Sequence, residues 1–367
     1  MADSQPGQVR IAVADGAVLL DYALWRPGAP DGVGELHRGR IEAVLPALGG
    51  AFIAIGGGAT GFLPLSGSAS PAPEGTPLGV EIVRAAQGGK GPRLAARPLP
   101  ADVDVSGPPA LVRPGPSPLD HLAARHDAAP IRVNDPSLRA EAAPALRPRM
   151  TVTTDGFPSG IEDQVAALAS PDIALPGGMR ASIHPTPALV AIDLDAGAAS
   201  ADRAPRQAAQ FAANRMALPP LLHQLRLRDL SGAILLDLAG LPSRKRPALR
   251  DDIAAVLARD PAAPRLLGFT ALGLAEILRP RQRPPLHELL AGPHAAALAA
   301  LRDVAAAAAF PGAPLPDIHA SLPVAAAIDG DAAARRWFER RYGRAPLVRA
   351  DPALSGHAWT LIPGHRA

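Results

Sequence analysis

A chain of 367 residues, 48% of them apolar, holds enough hydrophobic material for a core and, as a soft prior, for two or three domains. It has no cysteine, which excludes disulfides, thiolate zinc sites, iron–sulfur clusters and cysteine nucleophiles. A net charge of +3 allows a nucleic-acid partner without requiring one, and no run of about 18 uncharged apolar residues offers a membrane span.

The opening "MADSQPGQVRIAV" lacks the basic start and long apolar run of a secretory leader, so a cytoplasmic protein is expected. Proline (43 residues) and glycine (35) are abundant, which predicts many loops between short elements. Residues 9–100 read as short strands. "VRIAVADGAVLLDYAL" alternates around an Asp15-Gly16 turn, a hairpin signal. "GGAFIAIGGGATGFLPL" holds two apolar-aromatic runs parted by glycines, and "GVEIVRAA" is a further strand. Several short strands in this span predict a small barrel or sheet.

Residues 101–150 change character. After the turn-rich "SGPPALVRPGPSP", "PLDHLAARHD" reads as a helix and "PIRVN" as a strand. "DPSLRAEAA" begins as a helix, with Asp135 as cap and Pro136 at its first position.

From 151 to about 290, helices and strands alternate, the pattern of an α/β domain with helices packed on a sheet. "GIEDQVAALA" is a helix; "RASIHP" and "ALVAIDLDA" are strands. "APRQAAQFAANRMAL" is a helix, and Pro219-Pro220 is expected to start a second. "GAILLDLAG" is a strand, "RPALRDDIAAVLARD" a helix, "RLLGFT" a strand and "ALGLAEILR" a helix. The alanine-rich "HAAALAALRDVAAAAAF" is a helix, and a last unit has a helix, "GDAAARRWFERRYG", then two strands.

Two strands in the alternating region end alike, "ALVAID" at Asp193 and "GAILLD" at Asp237. Functional groups gather at the carboxyl ends of strands in α/β sheets. Carboxylates brought close there do not stay doubly ionised without a cation nearby. Magnesium suits such a pair, being hard and oxygen-ligated, and its chemistry would be phosphodiester hydrolysis. The other reading is two aspartates that cap turns. Basic knots flank the second strand. Arg244, Lys245 and Arg246 follow Asp237 and are expected on the same rim, while Arg226 and Arg228 precede the strand. Cations around a carboxylate pair would hold the phosphates beside a scissile one.

The order of these motifs resembles the ribonuclease E/G family of bacterial endoribonucleases. "GELHRGRIEAVLPALGGAFIAIGGGATGFLPL" is similar to that family's entry into an OB-fold RNA-binding domain, and "GGKGPRL" to its exit. "ALPGG" with "TPALVAIDLDAG" resembles the catalytic entry. "LRLRDLSGAILLDLAG" through "GFTALGLAEILRPRQRPPL" resembles the rest of the catalytic domain. The likeness covers residues 34–100 and 157–290.

The resemblance implies a multi-domain α/β protein. An N-terminal hairpin (1–33) would precede an OB-fold barrel (34–100), a reduced middle segment (101–156), an α/β catalytic domain (157–291) and a small α+β unit (292–367). It implies Asp193 and Asp237 as magnesium ligands and Asp195 as a third catalytic carboxylate. Asp195 stands where the family usually has asparagine, which keeps an oxygen but adds a charge. It implies RNA contacts from Phe52, Phe62 and Lys90, with aromatics stacking on unpaired bases and the lysine meeting the backbone. The rival reading of the two rings is barrel core.

Departures matter as well. Without cysteine, the family's zinc link and the tetramer built on it are not expected, while a homodimer stays open. The family's Arg-Thr pair for a 5′-monophosphate has no counterpart between Leu94 and Leu175, and its Thr-Glu before the catalytic strand is Thr186-Pro187 here. The expected activity is magnesium-dependent cleavage of single-stranded RNA in RNA processing or decay. The alternatives are a catalytically weak or inactive RNA-binding paralogue, or an adaptor for other RNA-processing proteins.

Overall fold

The computed structural model describes residues 1–65, 72–196, 206–308 and 314–363. Gly197, the expected helix start at 204–205 and the last residues of the alanine-rich run at 309–310 lie outside them.

β1 (Ala2–Gln5), β2 (Gln8–Asp15) and β3 (Val18–Trp25) pair antiparallel, with Gly16 at φ 56° in the turn expected there. Next come β4 (Leu36–Leu45), β5 (Gly50–Gly56), β6 (Ala59–Pro64), β7 (Pro77–Arg84) and β8 (Arg93–Ala96). They are ordered β5-β6-β8-β7-β4, and β4 pairs back with β5, which closes a five-stranded barrel consistent with an OB-like form. Closure leaves no free edge among these strands, and Ile41, Ile53, Val80, Ile82 and Leu94 fill the interior. β9 (Ala110–Arg113) adds to β4 from outside the ring.

α1 (Pro118–Arg125) starts at a capping box, in which Ser117 and Asp120 satisfy each other's backbone N–H groups. β10 (Ile131–Val133), α2 (Pro136–Glu141) and β11 (Met150–Val152) follow, and Asp135 caps α2 as expected by accepting from the Ser137 N–H. β10 lies parallel to β1, and β11 parallel to β10, giving the order β11-β10-β1-β2-β3. The N-terminal hairpin and the middle of the chain thus share one sheet.

The third sheet carries the aspartates. Its region holds α3 (Ser159–Ala167), β12 (Asp172–Ala174), β13 (Arg180–Pro185), β14 (Val190–Asp195), α4 (Arg206–Leu227), β15 (Gly232–Asp237), α5 (Arg250–Leu257), β16 (Arg265–Phe269) and β17 (Ala275–Arg279). The order is β12-β13-β14-β15-β17-β16, with β14–β15 parallel and the other pairs antiparallel. α4 and α5 cover one face through Leu218, Leu221, Leu225 and Ile253.

Two expectations are corrected here. Pro219-Pro220 does not start a second helix; both prolines lie inside the 22-residue α4. Burial of Leu218, Leu221, Leu222 and Leu225 against the sheet holds the helix together across the lost N–H donors. "ALGLAEILR" is not a helix but a turn and a strand. Gly273 turns at φ 87°, and Ala275, Ile277 and Arg279 are buried at alternate positions.

The chain ends in α6 (Leu286–Leu289), α7 (Gly292–Ala307), β18 (Asp317–Ala320), α8 (Leu322–Gly330), α9 (Ala332–Tyr342), β19 (Val348–Ala350) and β20 (Trp359–Ile362). The strands form a small sheet, β19-β18-β20, around a core that includes Phe338. This unit docks on the first sheet. Trp337 Nε1 donates to Ser4 Oγ at 3.2 Å. At Gly7 (φ 71°) an added Cβ would lie 2.5 Å from Leu298 and 2.7 Å from Asp331, and at Gly28 2.5 Å from Asp331. Among the described residues no helix is long and apolar enough to cross a membrane.

Candidate active site

β14 alternates between two environments. Ile192 and Leu194 are buried against the helices, so Asp193 and Asp195 share the open face and are exposed. β15 does the same, with Ile234 and Leu236 buried and Asp237 on the open side. The parallel register pairs Ile192 with Leu236 and Asp193 with Asp237, so the two carboxylates stand side by side at the carboxyl ends of adjacent strands. On the other side of β14, Asp193 is opposite Ser182, and Asp195 is opposite Arg180.

The loop after β15 is fixed from below. Asn214, fully buried on α4, accepts from Ala239 N at 3.1 Å and donates to Ala239 O at 3.0 Å. Sequence reasoning missed this residue; a lone asparagine within an alanine-rich helix was its signal. Arg246 reaches Asp237 Oδ1 at 2.5 Å and also donates to Leu241 O at 2.8 Å. Its side chain is 14% exposed, against 45% for Asp237. Of the other two cations expected on this rim, Arg244 is exposed and Lys245 half-buried in the same turn, 243–249.

Among the described residues no cluster of three or more His, Cys, Asp or Glu side chains is arranged to hold a metal. A carboxylate pair remains. That fits magnesium, which usually takes one or two carboxylates and fills its other positions with water and phosphate oxygens. Arg246 neutralises part of the charge that such an ion would meet.

The barrel presents a second feature. Phe52 is directly opposite Phe62, with ring centroids 5.7 Å apart in an edge-to-face arrangement. Neighbours Ala51, Ile53 and Leu63 point inward and are buried, so both rings lie outside the barrel core; Phe52 is 37% exposed. Phe62 fills the space at Gly50, where a Cβ would meet the ring at 2.2 Å. Lys90 is exposed at the end of a tight turn bridged to Gln87.

Arg226 and Arg228 do not join the carboxylate rim. They precede the start of β15, while Asp237 ends it. Arg226 pairs with Asp21 at 2.9 Å, and the buried Arg228 donates to Ser170 O at 2.6 Å. The expected RNA contacts give way to contacts within the protein. Thr186 accepts from the Ala188 and Leu189 N–H groups and shapes the β13–β14 turn. A cavity of about 810 Å³ lies away from the aspartates, between β3, α1 and the 279–284 segment. Several of its charged groups are mutually paired, among them Asp21 with Arg125 and Asp31 with Arg283, while Arg26 and Arg228 donate to the Leu289 and Ser170 carbonyls.

The model of the Ribonuclease E/G family matches residues 149–282, the span that holds both aspartates and their sheet. That span is similar to the ribonuclease E/G family and is the part of the chain the family model covers. Ribonuclease E of Synechocystis is 33% identical over 124 residues, 34% of this chain and 18% of that protein. Ribonuclease E of Escherichia coli is 32% identical over 129 residues, 35% of this chain and 12% of that protein. Ribonuclease G of Haemophilus influenzae is 29% identical over 132 residues, 36% of this chain and 27% of that protein. The matches thus span well under a third of each of these ribonucleases. Within the family segment, "LRLRDL" is a structural knot here. Leu225, Leu227 and Leu230 are buried, and Asp229 pairs with Arg279 at 2.7 Å.

Proposed function

We propose that this protein is a magnesium-dependent endoribonuclease of the cytoplasm that cleaves single-stranded RNA in RNA processing or decay. The observation that carries the reading is the side-by-side pair of Asp193 and Asp237 on the open face of the family-matched sheet. Asp193 and Asp237 hold the ion, and Asp195 adds negative charge two residues along the same face. The ion, when bound, supplies positive charge to a phosphodiester and lowers the pKa of water. Arg246 orients the Asp237 carboxylate, and Arg244 and Lys245 attract neighbouring phosphates. The Phe52–Phe62 pair stacks unpaired bases and Lys90 meets the backbone. The 5′ end is not sensed, for want of an Arg-Thr pair. The test is to incubate a labelled unstructured RNA with the purified protein, with Mg²⁺ or with EDTA. Internal cleavage in Mg²⁺ alone is expected, and intact RNA in both tubes refutes the reading.

One observation favours a second reading, a catalytically weak RNA-binding paralogue. The 2.5 Å ion pair commits Asp237 to Arg246, so an incoming cation must compete with a guanidinium. Binding without cleavage in the same assay identifies that case.

A further inference from the structure

Opposed residues make a row across the barrel. Phe52 on β5 is opposite Phe62 on β6, Phe62 is opposite Arg93 on β8, and Arg93 is opposite Arg84 on β7. A bulge between Ile82 and Arg84 shifts the register and re-aims the arginine at the strand end. One residue on, Ala85 N donates to Gln282 O at 2.8 Å, which sets Arg281 beside the same strand end. Three guanidinium groups therefore gather where the barrel meets the 279–284 segment.

Their pairing is incomplete. Among the described residues Arg84 and Arg93 make no side-chain hydrogen bond or ion pair, and Arg84 Nε is buried without a partner. Arg281 has one acidic partner, Glu288, at 2.8 Å, and its own Nε is likewise buried and unpartnered. Burial, then the charges of Arg93 and Arg281, lower the pKa of Arg84. Like charges directly opposite in a sheet are destabilising. An anion would relieve the repulsion, and the guanidinium fork matches phosphate oxygens two at a time.

We propose that Arg84, Arg93 and Arg281 form a phosphate track that continues the Phe52–Phe62 stacking face and carries the backbone of a single RNA strand off the barrel. The track rests on the RNA-binding part of the function proposed above and assigns it three further residues. It leads to the edge of the aspartate sheet away from the carboxylates. Arg279, two residues before Arg281, is opposite Gly232 at the start of β15, and Asp237 is at its end. The five-residue rise between them is about 17 Å. The track therefore sets affinity and strand length rather than the chemistry at Asp193 and Asp237.

The test is fluorescence anisotropy with a labelled, unstructured 20-nucleotide RNA in EDTA, with salt titrated, for the wild type, Arg84→Gln, Arg93→Gln, Arg281→Gln and the triple variant. Each single change is expected to weaken binding several-fold, and the triple change more than 30-fold at low salt. The slope of log K against log salt should shrink by about 2 for three lost contacts to a single strand. Arg84→Gln should also melt at or above the wild-type temperature, because it removes a repelled charge. A folded triple variant with the wild-type slope overturns the track, as does a wild type that binds no RNA. An Arg84→Gln variant that loses stability but keeps RNA affinity overturns it too, and needs no folded triple variant. Wild-type binding without cleavage in Mg²⁺ would remove the nuclease reading and leave the track standing.

Discussion

At Asp193 and Asp237, a single atom separates two roles. Asparagine keeps the shape and one acceptor oxygen but removes the charge. Asp193→Asn or Asp237→Asn should lower cleavage 100- to 1000-fold, about 2.7–4 kcal/mol of transition-state stabilisation, while RNA affinity in EDTA barely changes. Cleavage is measured under single-turnover conditions, and a wild-type rate from either variant removes these residues from the site. The two phenyl rings carry a separate expectation. Phe52→Ala should weaken RNA binding by about 1–3 kcal/mol, the worth of a lost stacking contact. Its stability should change less than a core deletion implies, since the ring lies outside the barrel core.

Among the elements, β17 and α4 show what the sequence conveyed and what it hid. The apolar runs that end in aspartate were legible because a strand buried on one face forces its carboxylates to the other, and β14 and β15 do this. "ALGLAEILR" misled because alanine, leucine, glutamate and arginine all favour helix. Pairing with β15 and β16 overrides that propensity, and the usable signal was the alternation that buries Ala275, Ile277 and Arg279. Arg226 and Arg228 misled for a geometric reason. They are near Asp237 along the chain but at the opposite end of a strand from it. Asn214 stood out as a lone asparagine in an alanine-rich helix, but its partner was hidden, because only the tertiary fold brings the Ala239 backbone to it. The buried arginine on β17 also carries a prediction. Arg279, 4% exposed, binds Asp229 and Asp260 at 2.7 Å each and the Leu230 carbonyl at 3.0 Å. Arg279→Met should cost about 3 kcal/mol in urea unfolding, because Asp260, 11% exposed, keeps its burial and loses its counter-charge, while the more exposed Asp229 regains water.

Across the whole molecule, residues far apart in the chain are clasped around one carboxylate. Asp331 caps α9 by accepting from Ala334 N at 2.9 Å, meets His294 Nε2 at 3.1 Å, and is approached by Gly7 and Gly28. Burial acts to raise its pKa, but the bonds from His294, Ala334 and Ala333 outweigh it and lower the pKa below 3.8. Folding thus favours the ionised form. The contribution is complete above the ordinary value and fades as pH falls through the lowered one. Asp331→Ala should cost about 1–2 kcal/mol near pH 7, the usual worth of a helix cap, and progressively less below about pH 4 in pH-dependent urea melts.

The first sheet also sets a timetable. β1 takes Val133 of β10 as its parallel partner for Ala2, so 131 residues must be made before the pair can close. At ordinary translation speeds that is roughly 7–26 s, during which the nascent β1 edge is open to other chains. The barrel between them needs no later residue to close its ring and can form while the first sheet waits. A ribosome stalled near residue 140, with the latest-made residues still inside its exit tunnel, should therefore hold a protease-resistant barrel beside a sensitive N-terminal hairpin, and one stalled well beyond residue 190 should protect both.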